Sequence, residues 1–227
     1  MNLRIRRTVV SLISLVVLAL IVFVTSQPET TVVNSPQALP AGSGTASTVL
    51  ESLPVKGRAA KTGYSRDQFG SGWTTVNGCD TRNIILNRDL QNPILDDECR
   101  VISGTLNDTY TAKVITFTKE DSSKVQIDHV VALSDAWQKG AQQLSRQMRI
   151  QLANDPLDLI AVDGAANQEK GDGDVATWQP SNTSFRCHYV ARQIAVKQKY
   201  MLWVTTAEKQ AMKDILATCP DQDLPTP

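Results

Sequence analysis

The sequence has no excess of charge of either sign, since 23 lysines and arginines balance 23 aspartates and glutamates. The first 26 residues carry three of the arginines and no acidic residue, so the remainder has 20 positive and 23 negative side chains, a net charge of −3. This excludes a protein that binds a polyanion through its overall charge. Any contact with nucleic acid therefore has to come from a local basic patch.

The apolar run at the N-terminus is not followed by a cysteine, which argues against a lipoprotein-type attachment. Three arginines precede VVSLISLVVLALIVFV, residues 9–24, an uncharged run of 16, and small residues follow it. This pattern predicts a secretory signal cleaved after about Ser26. An uncleaved anchor that contacts the membrane is the alternative, although a comfortable span needs about 20 residues. In both cases the rest of the chain lies outside the cytoplasm, secreted or anchored.

Metal-binding C-x-x-C spacing is absent, which argues against a structural zinc site. The four cysteines are Cys79, Cys99, Cys187 and Cys219. An even number in an exported chain indicates disulfides, for which three pairings exist. We favour Cys79–Cys99 and Cys187–Cys219, because each pair closes a short local loop.

Aromatic residues make up only 5% of the chain, but a hydrophobic content of 41% is that of a globular protein. Residues 27–57 are rich in Thr, Ser, Pro, Val and Gly and predict a linker. One domain is expected at 58–219, followed by a loose tail at 220–227, and no internal repeat is found. With so few aromatics, we expect the four tryptophans to fill the core.

The domain is predicted to be α+β, a small antiparallel sheet with surrounding helices. Strands are predicted at 99–105, 112–118, 124–133 and 157–162. Helices are predicted at 79–90, 134–155, 182–204 and 206–219, and another begins in AANQEKGDGDVATW, where Gly171 and Gly173 interrupt it.

Histidine is scarce, and one of the two histidines directly follows an aspartate, as Asp128-His129 in QIDHVVAL. Adjacent strand residues point to opposite faces, so we expect a twist or bulge at the strand end to bring both to one cavity. Alone, such a dipeptide is more often an ordinary surface pair. Here a second short strand and a turn follow, and then Asn167 and Lys170 lie one helical turn apart.

This order of strand, strand and helix resembles the ββα-metal site of the HNH, or His-Me finger, endonucleases. More closely, DHVVALSDAWQKGA, LANDPLDLIAVDGAANQEKGDGDVATWQP and RCHYVARQIAVKQKYML are similar to exported HNH-type proteins of the DUF1524 family. That family includes the nuclease domain of GmrSD-type restriction enzymes. The likeness runs from about Trp73 to Cys219.

The resemblance implies a role for each polar residue of the motif. His129 would be the general base that activates water. Asp128 and Asn167 would hold a divalent metal, and oxygen ligands suit Mg²⁺ or Mn²⁺. Lys170 would hold a phosphate as a point charge.

The chain departs from the family pattern in the second strand, where Asp158 stands in place of a central asparagine. Aspartate accepts hydrogen bonds but does not donate them when ionised. Asn154, four residues earlier, is a candidate to compensate. A further departure is the helix of about twenty residues, 134–153, inserted between the two strands.

Candidate phosphate-binding residues outside the motif are Arg82, in the family's CDTRN segment, and Arg186 and Arg192, on a helix that carries basic residues and no acid from Arg186 to Thr206. The interpretation that a plain exposed face explains the helical pair stays open.

Together these features predict an exported, metal-dependent endonuclease that acts on nucleic acid, with DNA favoured over RNA as the substrate and no protein partner indicated. A non-catalytic binding module on a degenerate nuclease fold is the alternative, favoured by the acidic net charge and by Asp158. A phosphodiesterase acting on cell-envelope substrates is a third.

Overall fold

The computed structural model of the chain describes residues 44–225. The predicted signal or anchor and the predicted linker up to residue 43 lie outside the described residues. Within residues 44–225, no helix is both long and apolar enough to cross a bilayer.

The described chain is a mixed α+β structure, as predicted, with small antiparallel sheets and several helices. Its α-helices are α1 (Ala46–Ser52), α2 (Thr81–Asp89), α3 (Leu133–Gln138), α4 (Arg146–Ala153), α5 (Gly164–Lys170), α6 (Arg186–Lys199) and α7 (Thr206–Leu216). Its strands are β1 (Thr75–Val76), β2 (Cys79–Asp80), β3 (Leu90–Leu95), β4 (Val101–Asn107), β5 (Val114–Thr118), β6 (Val125–His129) and β7 (Leu159–Asp163). Three sheets form, with the strand orders β1-β2, β3-β4-β5 and β6-β7.

The antiparallel pair of strands β6 and β7 separates two hydrophobic clusters. One strand face packs Val125, Ile127 and Leu159 against α2 and the β3–β5 sheet. The other face packs Ile160 and Val162 against the larger cluster formed with α1, α4, α6 and α7. Alternate residues of the two strands therefore pack into different clusters, which fixes the register of the strand pair.

The prediction of one continuous helix at 134–155 is wrong. The chain forms α3, then a 3₁₀ turn at Ala141–Gln143, then α4. Gly140, with φ +124°, ends α3 at a point where a Cβ would lie 3.1 Å from the Trp203 ring. Ser145 then caps α4 by accepting a hydrogen bond from the Met148 amide.

The structure also differs from the predicted linker and tail. Helix α1 lies within 27–57 and buries Ala46, Val49 and Leu50 in the larger cluster. In the tail, Leu224 is buried and Asp223 pairs with the residue before α1. A seven-residue helix has little stability alone, so its formation depends on this packing.

Two disulfides join the pairs favoured from the sequence. Cys79–Cys99 ties β2 to the loop before β4, with Cα atoms 5.5 Å apart. Cys187–Cys219 ties α6 to the residues after α7, with Cα atoms 6.5 Å apart.

A buried ionic cluster connects α3, α6, α7 and the loop after α5. The ammonium of Lys139, fully buried, lies 2.8 Å from Asp135, 2.8 Å from Asp174 and 2.6 Å from Glu208. Lys197, also fully buried, lies 2.9 Å from Glu208. These partners balance charges that would be costly to bury alone.

We predict that Lys139→Met lowers the free energy of unfolding by about 3–5 kcal/mol, because it removes one buried cation from the cluster and leaves its carboxylates with only the charges of Arg58 and Lys197. The matched control is Lys124→Met, which removes an exposed ion pair with Asp121 and should cost at most about 1 kcal/mol. Urea unfolding with both disulfides intact measures the two values, and equal values would contradict the prediction.

Candidate functional site

His129 is the last residue of β6 and is 6% exposed. Its Nε2 lies 2.9 Å from the main-chain oxygen of Ala153, at the end of α4. A carbonyl oxygen only accepts hydrogen bonds, so Nε2 carries the hydrogen and Nδ1 carries the lone pair. No described residue donates a hydrogen bond to Nδ1. The ring stacks on Trp73, with centroids 5.8 Å apart and planes inclined by 8°.

Burial lowers the pKa of His129 to about 3 by penalising the imidazolium, and the charges of Arg66 and Lys170 lower it further, against the opposing bond to Ala153. The imidazole is therefore neutral at neutral pH. A neutral imidazole with a free Nδ1 lone pair is able to accept a proton.

Asp128 points to the opposite face and is also buried. It accepts a hydrogen bond from the Tyr110 hydroxyl at 2.5 Å, and the Lys170 ammonium lies 3.0 Å from both of its oxygens. Burial, the largest effect, raises the pKa of Asp128, while Lys170 and Tyr110 oppose the rise. The sequence analysis did not identify Tyr110, because nothing in the sequence around it indicates a contact with Asp128, 18 positions further along the chain.

Lys170 is fully buried, and its ammonium also donates to the main-chain oxygen of His129 at 2.8 Å. It therefore joins α5 to the Asp128-His129 dipeptide. In this position it contacts β6 rather than an open surface. The structure thus gives Lys170 a positioning contact in place of the phosphate contact that was predicted.

Asn167 lies on the same helix, one turn before Lys170. Its Nδ2 donates to Oε1 of Gln126 at 2.9 Å. This bond leaves the amide oxygen of Asn167 without a hydrogen bond to the described residues.

An open cavity of about 230 Å³ brings these side chains together. Asp128, His129 and Asn167 line it from β6 and α5, and Tyr64, Arg66 and Asp172 contribute to its walls. The expected bulge is wrong, because the pairing of β6 with β7 is regular through His129. Both residues reach the cavity because it lies at the end of the strand, where the two faces meet.

His129 also lines a smaller cavity of about 120 Å³. His129, Arg66, Phe69, Trp73 and Ala153 are among the residues that line it. Trp73, partly exposed in this wall, packs against the smaller hydrophobic cluster, as expected of a core residue, and also stacks on His129. His129 therefore lines two separate cavities.

Asp158, at the start of the second strand, connects the segment after His129 to β7. Its Oδ1 accepts a hydrogen bond from the Val131 amide at 2.8 Å, and its main-chain oxygen accepts one from the Val130 amide at 2.7 Å. Its Oδ2 has no partner among the described residues. Burial raises the pKa of Asp158 well above its usual range, so the carboxyl holds its proton to a higher pH than an exposed aspartate does.

Asn154 does not contact Asp158. Its side chain accepts a hydrogen bond from the Thr74 amide at 2.9 Å and donates to the main-chain oxygen of Ile150 at 3.0 Å. It therefore positions the loop that carries Trp73.

The three candidate phosphate-binding arginines use their guanidinium groups on main-chain carbonyls. Arg82 donates to Val125, Arg186 to Pro180, and Arg192 to Pro156, Leu157 and Leu159. Arg88 donates to Pro156 and Leu159 as well. The contacts of Arg82, Arg88 and Arg192 hold strands β6 and β7 and the turn before β7, and that of Arg186 holds the loop before α6. None of these arginines is among the residues that line the cavity.

Among residues 44–225, no three His, Cys, Asp or Glu side chains cluster closely enough to hold a metal ion. The oxygen donors at the cavity are the Asp128 carboxylate, the Asn167 amide oxygen and Asp172. Carboxylate and amide oxygens are ligand types that a hard divalent cation such as Mg²⁺ takes. In this structure the Asp128 carboxylate is bound by Lys170 and Tyr110, and the Asp172 carboxylate is paired with Lys61.

We predict that Asp158→Asn raises the melting temperature at pH 7. Because its folded-state pKa is raised, Asp158 keeps a proton that the unfolded chain releases above about pH 4, so the carboxyl costs stability as the pH rises. Asparagine keeps the acceptor for Val131 and does not titrate. A gain of ~1 kcal/mol would raise the melting temperature by about 2–4 °C.

Thermal melts at pH 7 and pH 4 test this prediction, and the gain should shrink at pH 4. Asp67→Asn, at an exposed position, is the control and should change neither value. A gain that is the same at both pH values would contradict the titration of Asp158.

Residues 81–215 of the chain match a protein family described as "GmrSD restriction endonucleases, C-terminal domain". A protein of Arthroderma benhamiae, described as an uncharacterized secreted protein, is 39% identical over 204 residues, which cover 88% of this chain and 95% of that protein. No solved structure matches the chain. The family match contains β6, β7 and α5 in full, and it spans more than half of the sequence. The chain therefore belongs to the family of GmrSD restriction endonuclease C-terminal domains.

Proposed function

We propose that the chain is an exported, metal-dependent endonuclease of the HNH, or His-Me finger, type that hydrolyses phosphodiester bonds in nucleic acid. The observation that carries this proposal is the pairing of a neutral His129, whose Nδ1 is free, with Asp128 and Asn167 in one open cavity. Family membership supports the same class of activity.

His129 is the general base in this mechanism. Its Nδ1 takes a proton from a water molecule, and the oxygen of that water attacks the phosphorus as the bond to the leaving oxygen breaks. The Ala153 carbonyl holds Nε2 in its protonated form, so the lone pair stays on Nδ1. Trp73 fixes the plane of the ring by stacking on it.

Asp128 and Asn167 would hold a Mg²⁺ or Mn²⁺ ion, which would supply Lewis-acid stabilisation of the charge on the leaving oxygen. Lys170 serves as a positioning residue, because its ammonium binds both the Asp128 carboxylate and the His129 carbonyl. Asp158 positions the segment after the base through the Val131 amide.

We propose DNA as the substrate, with RNA as the alternative, and the extracellular space as the location. Two disulfides and a relative described as secreted support the location. Retention of the chain at a membrane through an uncleaved N-terminal segment is the alternative location.

Cleavage of plasmid DNA by the purified protein, with both disulfides formed, tests the activity. We expect nicking in Mg²⁺ or Mn²⁺ and none in EDTA, and His129→Ala should lower the rate at least ~100-fold because it removes the base. His188→Ala is the matched control, since it changes the other histidine, which is exposed on α6, and should leave the rate unchanged. Absence of cleavage of DNA and RNA with either metal, by folded protein, would contradict the proposal.

The pH profile gives a second prediction. A histidine with the usual pKa of about 6.5 would lose roughly 30-fold in its neutral fraction at pH 5. With a pKa of about 3, His129 stays neutral there, so kcat/KM at saturating metal should fall less than about twofold between pH 7 and pH 5 through protonation of the base. An acidic limb centred near pH 6.5 would show that the base is an ordinary, solvated histidine.

A further inference from the structure

Arg66 lies at the mouth of the site, outside the segment that matches the family. It lines both cavities that flank His129, and its side chain is exposed. Its charge is close enough to lower the pKa of His129. Arg66 therefore lines the same two cavities as the proposed base and is accessible from solvent.

The main chain at Arg66 is held in place by α4. Arg66 begins a 3₁₀ turn, Arg66–Phe69, whose Phe69 is 2% exposed and packs edge-on against Trp137. Arg149 of α4 donates to the main-chain oxygen of Gln68 at 2.9 Å and to its side-chain oxygen at 3.1 Å. The same helix ends at the carbonyl that binds His129, so α4 fixes the turn and the imidazole relative to each other.

The other charges around the larger cavity are paired. The Lys170 ammonium lies 3.0 Å from the Asp128 carboxylate, and the Lys61 ammonium lies 2.6 Å from the Asp172 carboxylate. The guanidinium of Arg66, by contrast, makes no hydrogen bond or ion pair within residues 44–225. The cavity therefore has one positive charge without a partner, next to the proposed base.

The arginines chosen from the sequence, Arg82, Arg186 and Arg192, donate to main-chain carbonyls and are committed to the fold. Lys170, the predicted phosphate ligand, is fully buried. An anionic substrate that enters the cavity thus meets Arg66 as its accessible, unpaired cation.

We infer that Arg66 binds the non-bridging oxygens of the phosphodiester whose phosphorus faces Nδ1 of His129. The planar guanidinium donates in a fork that matches two phosphate oxygens. In that position it holds the scissile phosphate against the base and offsets its negative charge. This inference rests on the proposed function, of which it names the phosphate-binding residue.

Binding is measured first, without cleavage, so that it does not depend on activity. The full protein carries His129→Ala in EDTA, and the probe is a fluorescein-labelled single-stranded oligodeoxynucleotide followed by anisotropy. Adding Arg66→Ala should raise Kd about 10-fold or more, as expected for loss of a charge-assisted hydrogen bond. The Kd of Arg66→Lys should lie between those of the parent and of Arg66→Ala, because lysine keeps the positive charge but lacks the planar guanidinium that donates to two oxygens.

Arg146→Ala is the matched control. Arg146 is exposed, lies on α4, lines neither cavity and makes no hydrogen bond or ion pair with the described residues. Its removal should change Kd less than about twofold, since it subtracts one surface charge and no specific contact. Both alanine variants, Arg66→Ala and Arg146→Ala, should keep the melting temperature of their parent, because neither side chain is buried.

Cleavage by the enzyme with His129 intact separates the two proposals. Loss of kcat/KM in Arg66→Ala, with Arg146→Ala unchanged, supports both. If the wild type is active but Arg66→Ala and Arg146→Ala do not differ in binding or in rate, the role of Arg66 is overturned and the proposed function stands. Inactive wild type with Arg66-dependent oligonucleotide binding overturns the proposed function and supports a phosphate site at Arg66. Inactive wild type without that dependence overturns both.

Discussion

The site depends on one buried ion pair, between Asp128 of β6 and Lys170 of α5. Placing a carboxylate in the interior costs several kcal/mol unless an opposite charge and hydrogen bonds meet it. Lys170 and the Tyr110 hydroxyl supply them. The pair requires α5 to lie directly against β6, and Gly164, at the start of α5, permits this because a Cβ there would collide with the main-chain oxygen of Ser123.

The lysine of this ion pair also links Asp128 to His129. Lys170 also binds the main-chain oxygen of His129, so the strand end is held by one cation while the imidazole is held from outside by α4 and Trp73. The site on the β6–β7 strand pair is thus held by three elements: Lys170 of α5, the end of α4 and Trp73. A general base needs such a support, because its lone pair has to stay directed at one point.

Helix caps and strands of the domain are largely readable from the sequence. Asp80 caps α2, and Thr205 with Glu208 forms a capping box at α7, both as their local patterns indicate. Strand β3 was missed because Pro93 and the positive φ of Asn92 interrupt an otherwise regular pattern. The α1 helix was missed because its stability comes from distant partners, which no local window contains.

The sequence by itself indicated most of the strands and helix caps, the disulfide pairs and the candidate residues Asp128, His129 and Asn167, since each depends on a short pattern or a close pairing along the chain. Only the tertiary structure decided which of the candidate phosphate-binding cations bond to the protein itself and which basic residue stays accessible at the cavity. Lys170 and the carbonyl-bound arginines are drawn into contacts between elements, whereas Arg66 stays exposed at the cavity. A basic residue looks the same in either role until folding brings a carboxylate or a carbonyl from another part of the chain within hydrogen-bond distance of it.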